Sequence, residues 1–213
     1  PVGGGRMSFE IALRHRIGET AIALDAHSTE PLTALVGPSG IGKTTVLNMI
    51  AGLVQPDCGR IAVNGNVLFD SAAGMDLPPE VRRAGYVFQD NRLFPHMRVR
   101  ANLAYGERLS RPEHRWIGQA EVVAFLGIGH LLDRWPATLS GGEARRVAIG
   151  RALLAAPRFL LMDEPLTSLD AARGEEILRV VERIRDELAI PILYVSHSPL
   201  EVARLTSCVL RLP

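Results

Sequence analysis

Gly37-Pro38-Ser39-Gly40-Ile41-Gly42-Lys43-Thr44 matches the pattern G-x-x-x-x-G-K-[ST] at every position. The chemistry this supports is the holding of a polyphosphate. Glycines let the backbone curl until successive N–H groups face inward, and a following helix adds partial positive charge. Lys43 then brings a mobile full charge toward the outer phosphates, and Thr44 offers a hydroxyl to Mg²⁺. A Gly-rich turn that merely precedes a helix would not explain agreement along the whole motif. Far along the chain, Phe159-Leu160-Leu161-Met162-Asp163-Glu164 is an apolar run that ends in two carboxylates. Phosphoryl transfer to water needs the nucleophile in line and its proton accepted. Asp163 therefore suits a metal ion, held directly or through water, and Glu164 suits the orienting and polarising of the attacking water. An acidic pair alone more often caps a helix or sits in a solvated loop; beside the phosphate loop the catalytic reading is preferred.

A third segment, Leu139-Ser140-Gly141-Gly142-Glu143, places a hydroxyl and glycine N–H groups at a helix start, which makes a second anion site. Ser140 and Glu143 also fit a capping box, and the two roles are compatible. These residues closely resemble the signature motif of ATP-binding-cassette (ABC) ATPases, and Arg145-Arg146-Val147-Ala148-Ile149-Gly150-Arg151-Ala152-Leu153 continues the resemblance. It extends from Met7 onward in the family's order. Gln89, in Tyr86-Val87-Phe88-Gln89-Asp90, resembles the Q-loop glutamine. Ser168-Leu169-Asp170 resembles the D-loop that lies across the dimer interface, and His197, after Tyr194-Val195-Ser196, resembles the switch histidine that contacts the γ-phosphate.

The resemblance implies an ATPase that uses ATP and Mg²⁺. Gly37 to Thr44, with Thr45, would bind the nucleotide, joined by Ser140, Gly141, Gly142 and Asp170 of a second copy in a head-to-tail dimer. Thr44, Gln89 and Asp163 would hold Mg²⁺, and Glu164, His197 and Gln89 would serve catalysis. One departure stands out. Many family members stack adenine on an aromatic residue before the phosphate loop, whereas this chain has His15-Arg16-Ile17-Gly18 there, so Arg16 by cation–π contact or Ile17 by apolar packing would have to substitute.

Val67-Leu68-Phe69-Asp70-Ser71, Leu77-Pro78-Pro79-Glu80, Arg92-Leu93-Phe94-Pro95-His96, Asn102-Leu103-Ala104-Tyr105-Gly106 and Ile190 to Ser198 are similar to the ATPase subunit of molybdate importers, as is Glu143. That resemblance implies a peripheral protein at the cytoplasmic face of the cell membrane. Its partners would be a transmembrane permease and, indirectly, an external substrate-binding protein. The alternatives are an importer of iron, sulfate or sugar, or a soluble non-transport ABC ATPase. The last would need long coiled coils or a second cassette, and a small-molecule kinase would lack the signature and D-loop segments. Leu93, Phe94 and Pro95 form an apolar group in an expected loop, a candidate for permease docking; the alternative is that Phe94 packs inside its own subdomain.

To bring these residues together, the chain needs a strand over Leu32 to Val36, the phosphate loop, and a helix marked by Val46, Leu47, Met49 and Ile50. Strands follow at Phe159–Met162 and Ile192–Val195, with helices over about Ala171–Leu188 and after Pro199. Buried apolar runs separated by helices imply a parallel sheet covered on both faces. Partial alternation from Phe9 to Leu24, turning at Gly18-Glu19, and a hairpin at Asn64-Gly65 imply antiparallel strands. Pro112 and Pro136 mark boundaries in a helical stretch. The expected fold is an α/β P-loop NTPase of the ABC type: a parallel core, an N-terminal antiparallel β subdomain and a helical subdomain inserted over about 95–156.

The 24 Lys+Arg and 23 Asp+Glu nearly cancel, so nothing in the composition argues for nucleic acid as a partner. The apolar stretch from Val147 to Met162 is broken by Gly150, Arg151, Pro157 and Arg158, well short of a bilayer span. Cys58 and Cys208, far apart, support neither a disulfide framework nor a zinc site and suit a reducing compartment. Residues 1–6 read as a tag or misassigned start, with residues 7–213 as the ATPase domain. The strand-like Cys208–Leu212 at the end suggests a chain cut short of the subfamily's C-terminal oxyanion-binding domain.

Overall fold

The computed structural model describes residues 9–212; the expectation for residues 1–6, and Met7 with them, lies outside the described residues. The elements in chain order are β1 (Phe9–Ile17), β2 (Thr20–Ser28), β3 (Leu32–Val36), α1 (Lys43–Ala51), β4 (Cys58–Val63), β5 (Asn66–Asp70), β6 (Met75–Asp76), α2 (Pro79–Arg82) and β7 (Ala84–Val87). They continue with α3 (Val99–Leu109), α4 (Gln119–Leu126), α5 (Gly141–Leu154), β8 (Phe159–Asp163), α6 (Ala171–Glu187), β9 (Ile192–Val195), α7 (Pro199–Leu205) and β10 (Val209–Arg211).

Two sheets result. An antiparallel sheet runs β2-β1-β4-β5-β6 and a parallel one runs β10-β3-β9-β8-β7. In β1, Phe9, Ile11 and Leu13 are buried while Ala12 and Arg14 face out, the period of two that a half-covered sheet requires. The turn residues Asn64 and Gly65 both take positive φ, 52° and 72°, as a tight hairpin demands. Gly59 is needed for a different reason: its φ is +125° and a Cβ there would lie 2.0 Å from the Ala12 carbonyl, so only glycine lets β4 close on β1.

All five residues of β8 are buried. Leu160 and Met162 pack with Ile177, Val181 and Val147 in one core. Phe159 and Leu161, pointing the other way, join Leu47, Ile50 and Ile61 beneath the antiparallel layer. The sheet is thus covered on both faces, as its unbroken apolar strands imply.

The helical insertion is built as expected, with Pro112 and Pro136 opening short 3₁₀ turns. α5 approaches its neighbours at Gly150, where a Cβ would meet Leu103 and Leu126 side chains at 2.9 Å. The loop before α3 is tied by Asn102, whose carboxamide accepts from Phe94 N–H at 2.8 Å and donates to the Phe94 and Met97 carbonyls. Here the structure favours the packing alternative for Phe94 over a displayed apolar group. Leu93 packs on the core, and Phe94 is half-buried against Tyr105, ring centroids 4.6 Å apart, with the Arg151 guanidinium 5.0 Å over its ring; only Pro95 is exposed. β6, α2 and β7 carried no sequence expectation. No helix among the described residues is long and apolar enough to cross a membrane.

Candidate functional site

Parallel register brings four strand ends level. Leu35 pairs with Val195, Val195 with Asp163, and Met162 with Val87. The loops that leave this carboxyl edge carry the phosphate motif after β3, Gln89 after β7, Glu164 after β8 and His197 after β9. That edge is where open α/β sheets bind ligands.

The phosphate loop folds tightly on itself. Gly42 has φ +107°, and a Cβ there would come within 2.4 Å of Ile22 in the antiparallel layer. Lys43, first residue of α1, is buried, and its Nζ donates to the Gly37 and Pro38 carbonyls, both at 2.9 Å. The ammonium is therefore held inside the loop it serves. Ser39, Gly40 and Thr44 remain exposed, and Ile41 and Thr45 half-exposed.

Thr44 Oγ1 donates to Asp163 Oδ2 at 2.8 Å. The other oxygen, Oδ1, is buried without a hydrogen-bond partner. Burial pushes the Asp163 carboxyl above its ordinary range and the Glu164 charge adds to this, opposed by the Thr44 hydrogen bond and the charges of Lys43 and Arg145. A buried, unpaired carboxylate oxygen beside a hydroxyl is a donor set that fits a hard divalent cation. Among the described residues no group of three or more His, Cys, Asp or Glu could hold a metal by itself. Mg²⁺ commonly rests on one or two carboxylates plus substrate phosphates, and Thr44 and Asp163 suit that mode.

Glu164 takes φ +44°, a left-handed conformation that costs a non-glycine residue about 1 kcal/mol or more and turns its side chain off the strand line. Its Oε2 accepts from Thr167 Oγ1 at 3.0 Å and faces His197 Nδ1 at 3.2 Å. The second oxygen of the carboxylate is thereby left for a water.

Other expected residues stand on other elements. Ser140 caps α5, accepting from Glu143 N–H at 3.3 Å, while Glu143 Oε2 accepts from Ser140 N–H at 2.7 Å. That backbone bond is the main reason the Glu143 carboxyl is held below its ordinary range. The expected capping box is present. Gly141 and Gly142 pack against Leu169 and Arg173 at the start of α6, where Asp170 caps the helix through Arg173 N–H at 2.9 Å. Gln89 is exposed, with its backbone carbonyl bound. Where adenine would be expected, His15 and the Arg16 N–H are both taken up by Asp57, at 3.1 and 2.8 Å, and Ile17 is half-exposed.

No motif assigns a role to Arg145. It is buried in α5, donating to the Phe88 and Gln89 carbonyls at 2.6 and 2.7 Å, which joins the signature helix to the Q-loop. Its place on the helical stripe Gly142, Arg145, Ile149 and Ala152, all buried, is the signal that could have found it. Thr167 was missed as well; a lone hydroxyl has no pattern.

Residues 22–167 match the model of the ABC transporter family. Molybdenum import ATP-binding protein ModC of Mesorhizobium japonicum is 57% identical over 206 residues, covering 97% of this chain and 56% of its own. The protein of the same name from Paramagnetospirillum magneticum is 56% identical over 197 residues, covering 92% and 54%. The chain thus spans about half the length of these curated relatives. Among solved structures, a dimeric bacterial ABC transporter cassette superposes with a TM-score of 0.72 at 26% identity, over 97% of this chain and 94% of that one. A component of an ABC transporter complex from Clostridium perfringens gives 0.75 at 26% identity, over 98% and 87%.

Proposed function

The chain belongs to the ABC transporter family, and from that premise we propose that it is the ATP-hydrolysing, nucleotide-binding subunit of an importer for molybdate or a related oxyanion. One observation carries the catalytic part: the buried, unpaired Asp163 oxygen beside Thr44 and Lys43, with Glu164 and His197 paired next to it. Likeness to two molybdenum import proteins along nearly the whole chain supports the cargo.

In this reading the loop from Gly37 to Thr45 wraps the phosphates and Lys43 leaves its carbonyls for the terminal one. Thr44 and Asp163, with Gln89, hold Mg²⁺, which when bound neutralises phosphate charge. Glu164 accepts the proton of the attacking water, and His197 fixes the carboxylate and meets the γ-phosphate. Ser140, Gly141, Gly142 and Asp170 of a second copy close the site in a head-to-tail dimer. The permease contacts the helical insertion near Gln89 and Pro95 at the cytoplasmic face of the membrane, and a substrate-binding protein delivers cargo from outside.

The test is uptake into ATP-loaded vesicles that carry the cognate permease and substrate-binding protein. Molybdate should accumulate with the wild-type chain. Lys43→Ala, which removes a charge-assisted contact, should weaken nucleotide binding by roughly 10- to 100-fold and lower uptake accordingly at limiting ATP. Accumulation of iron, sulfate or sugar in place of molybdate would overturn the cargo, and full uptake by Lys43→Ala would overturn the site.

A further inference from the structure

His197 stands on a short turn between β9 and α7, 62% exposed, so little packing holds the side chain itself. Its direction depends on the backbone of Ser196 and Ser198. Ser196 is tied to the Glu201 carboxylate directly, and Ser198 through the Ser196 hydroxyl. Ser196 Oγ donates to Glu201 Oε2 at 2.8 Å, and the Tyr194 phenol donates to the same oxygen at 2.9 Å. Ser198 N–H donates to Ser196 Oγ at 3.0 Å, and Glu201 N–H returns to Ser198 Oγ at 3.4 Å. Tyr194 and Ser196 are buried, and buried hydroxyls require such a partner. Burial, and after it the charge of Glu201, pushes the phenol far above its ordinary range, so Tyr194 remains a donor.

We infer that Glu201 is a positioning residue for hydrolysis, whose carboxylate fixes the turn Ser196–Ser198 and so keeps His197 on Glu164. The inference rests on the reading of Glu164 and His197 as the hydrolytic pair. A simple helix cap would explain only the weakest of the four bonds, Glu201 N–H to Ser198. It would not require a side-chain acceptor shared by the strand's tyrosine and the residue before the histidine. One oxygen with two lone pairs is what the geometry uses, and a glutamine Oε1 would supply the same.

The experiment is steady-state ATP hydrolysis by Glu201→Leu, Glu201→Gln and Ser196→Ala, each made in the wild-type chain and in His197→Ala. Displacing a catalytic contact by about an ångström costs up to roughly 100-fold in rate, so Glu201→Leu should lower kcat by roughly 10- to 100-fold with KM for ATP unchanged. Glu201→Gln should restore most of kcat. In His197→Ala neither Glu201→Leu nor Ser196→Ala should cost anything more, because residues acting as a unit are non-additive. Equal losses in both backgrounds, or a glutamine variant as impaired as the leucine one, would overturn the inference. Should Glu201→Leu melt before assay, Ser196→Ala, which deletes one hydroxyl, decides on the same criterion. A wild-type rate for His197→Ala would instead overturn the hydrolytic pair itself, and a wild-type rate for Glu201→Leu beside an impaired His197→Ala overturns only the positioning role.

Discussion

Replacing Glu164 by glutamine is expected to lower the rate of ATP hydrolysis by about 10²- to 10⁴-fold, the contribution of a general base, while ATP affinity stays close to that of the wild type. The side chain keeps its size, and the left-handed backbone at this position (φ +44°) is set by the turn, where Thr167 N–H donates to the Glu164 carbonyl at 3.1 Å. The amide oxygen can still accept from Thr167, as Oε2 does now at 3.0 Å, and still face His197 Nδ1, now 3.2 Å away. What it cannot do is take up a proton from water. Lys43, Thr44 and Asp163, which meet the nucleotide before hydrolysis, are untouched. Phosphate release and equilibrium nucleotide binding, measured on the same preparation, separate the two effects. Equal rates for the two proteins would remove Glu164 from its role.

Arg82→Ala is expected to be the most destabilising single substitution outside the site. This guanidinium is 1% exposed. Nε donates to the Leu77 carbonyl at 2.7 Å, Nη1 to the Met49 and Ile50 carbonyls at 2.7 and 3.1 Å, and Nη2 to Asp76 at 2.5 Å. Met49 and Ile50 lie in the last turn of α1, whose final carbonyls have no partner within the helix. Alanine would leave the Ile50 carbonyl unpaired, the Met49 carbonyl with only the Gly52 N–H at 3.2 Å, and a space beside Gly52, where the guanidinium now sits so close that a Cβ would lie 2.7 Å from Nε. Leaving the Ile50 and Leu77 carbonyls without a donor costs about 1–3 kcal/mol each, and about 2–6 kcal/mol in all lowers Tm by roughly 4–24 °C for a chain of this size. Because α1 carries the phosphate loop, nucleotide binding should weaken with it. A loss below about 1 kcal/mol in urea unfolding, the scale of a single ordinary hydrogen bond, would mean that water replaces the guanidinium without penalty.

What could be read from the residues alone follows from how local the determinants are. The phosphate loop is contiguous and its chemistry admits few residue types, so Gly37 to Thr44 was legible in full. β3, β8 and β9 announced themselves as unbroken apolar runs because both faces of the sheet are covered, and the capping box at Ser140 and Glu143 needed only its three-residue spacing. β7 did not announce itself: Ala84-Gly85-Tyr86-Val87 is short, and Gly85 is there because a Cβ would lie 2.6 Å from Leu160 Cδ2, a contact that exists only after folding. Arg82 and Arg145 look like surface residues until distant carbonyls converge on them. Phe94 reads as loop-borne, either displayed or packed, and what decides is Asn102, eight residues on, which folds its loop against Tyr105. The left-handed φ of Glu164 is equally invisible, since nothing in an acidic side chain calls for it.

In the proposed reading each nucleotide sits between two copies related by a two-fold axis, with Lys43 from one and Ser140 and Gly142 from the other. Light scattering of the Glu164→Gln chain with saturating ATP and Mg²⁺ measures this directly. Unhydrolysed nucleotide should bind the copies together, so the mass should double on adding ATP and return to that of one chain when ATP is omitted. A mass that stays at one chain, with nucleotide shown to be bound, would contradict the shared site.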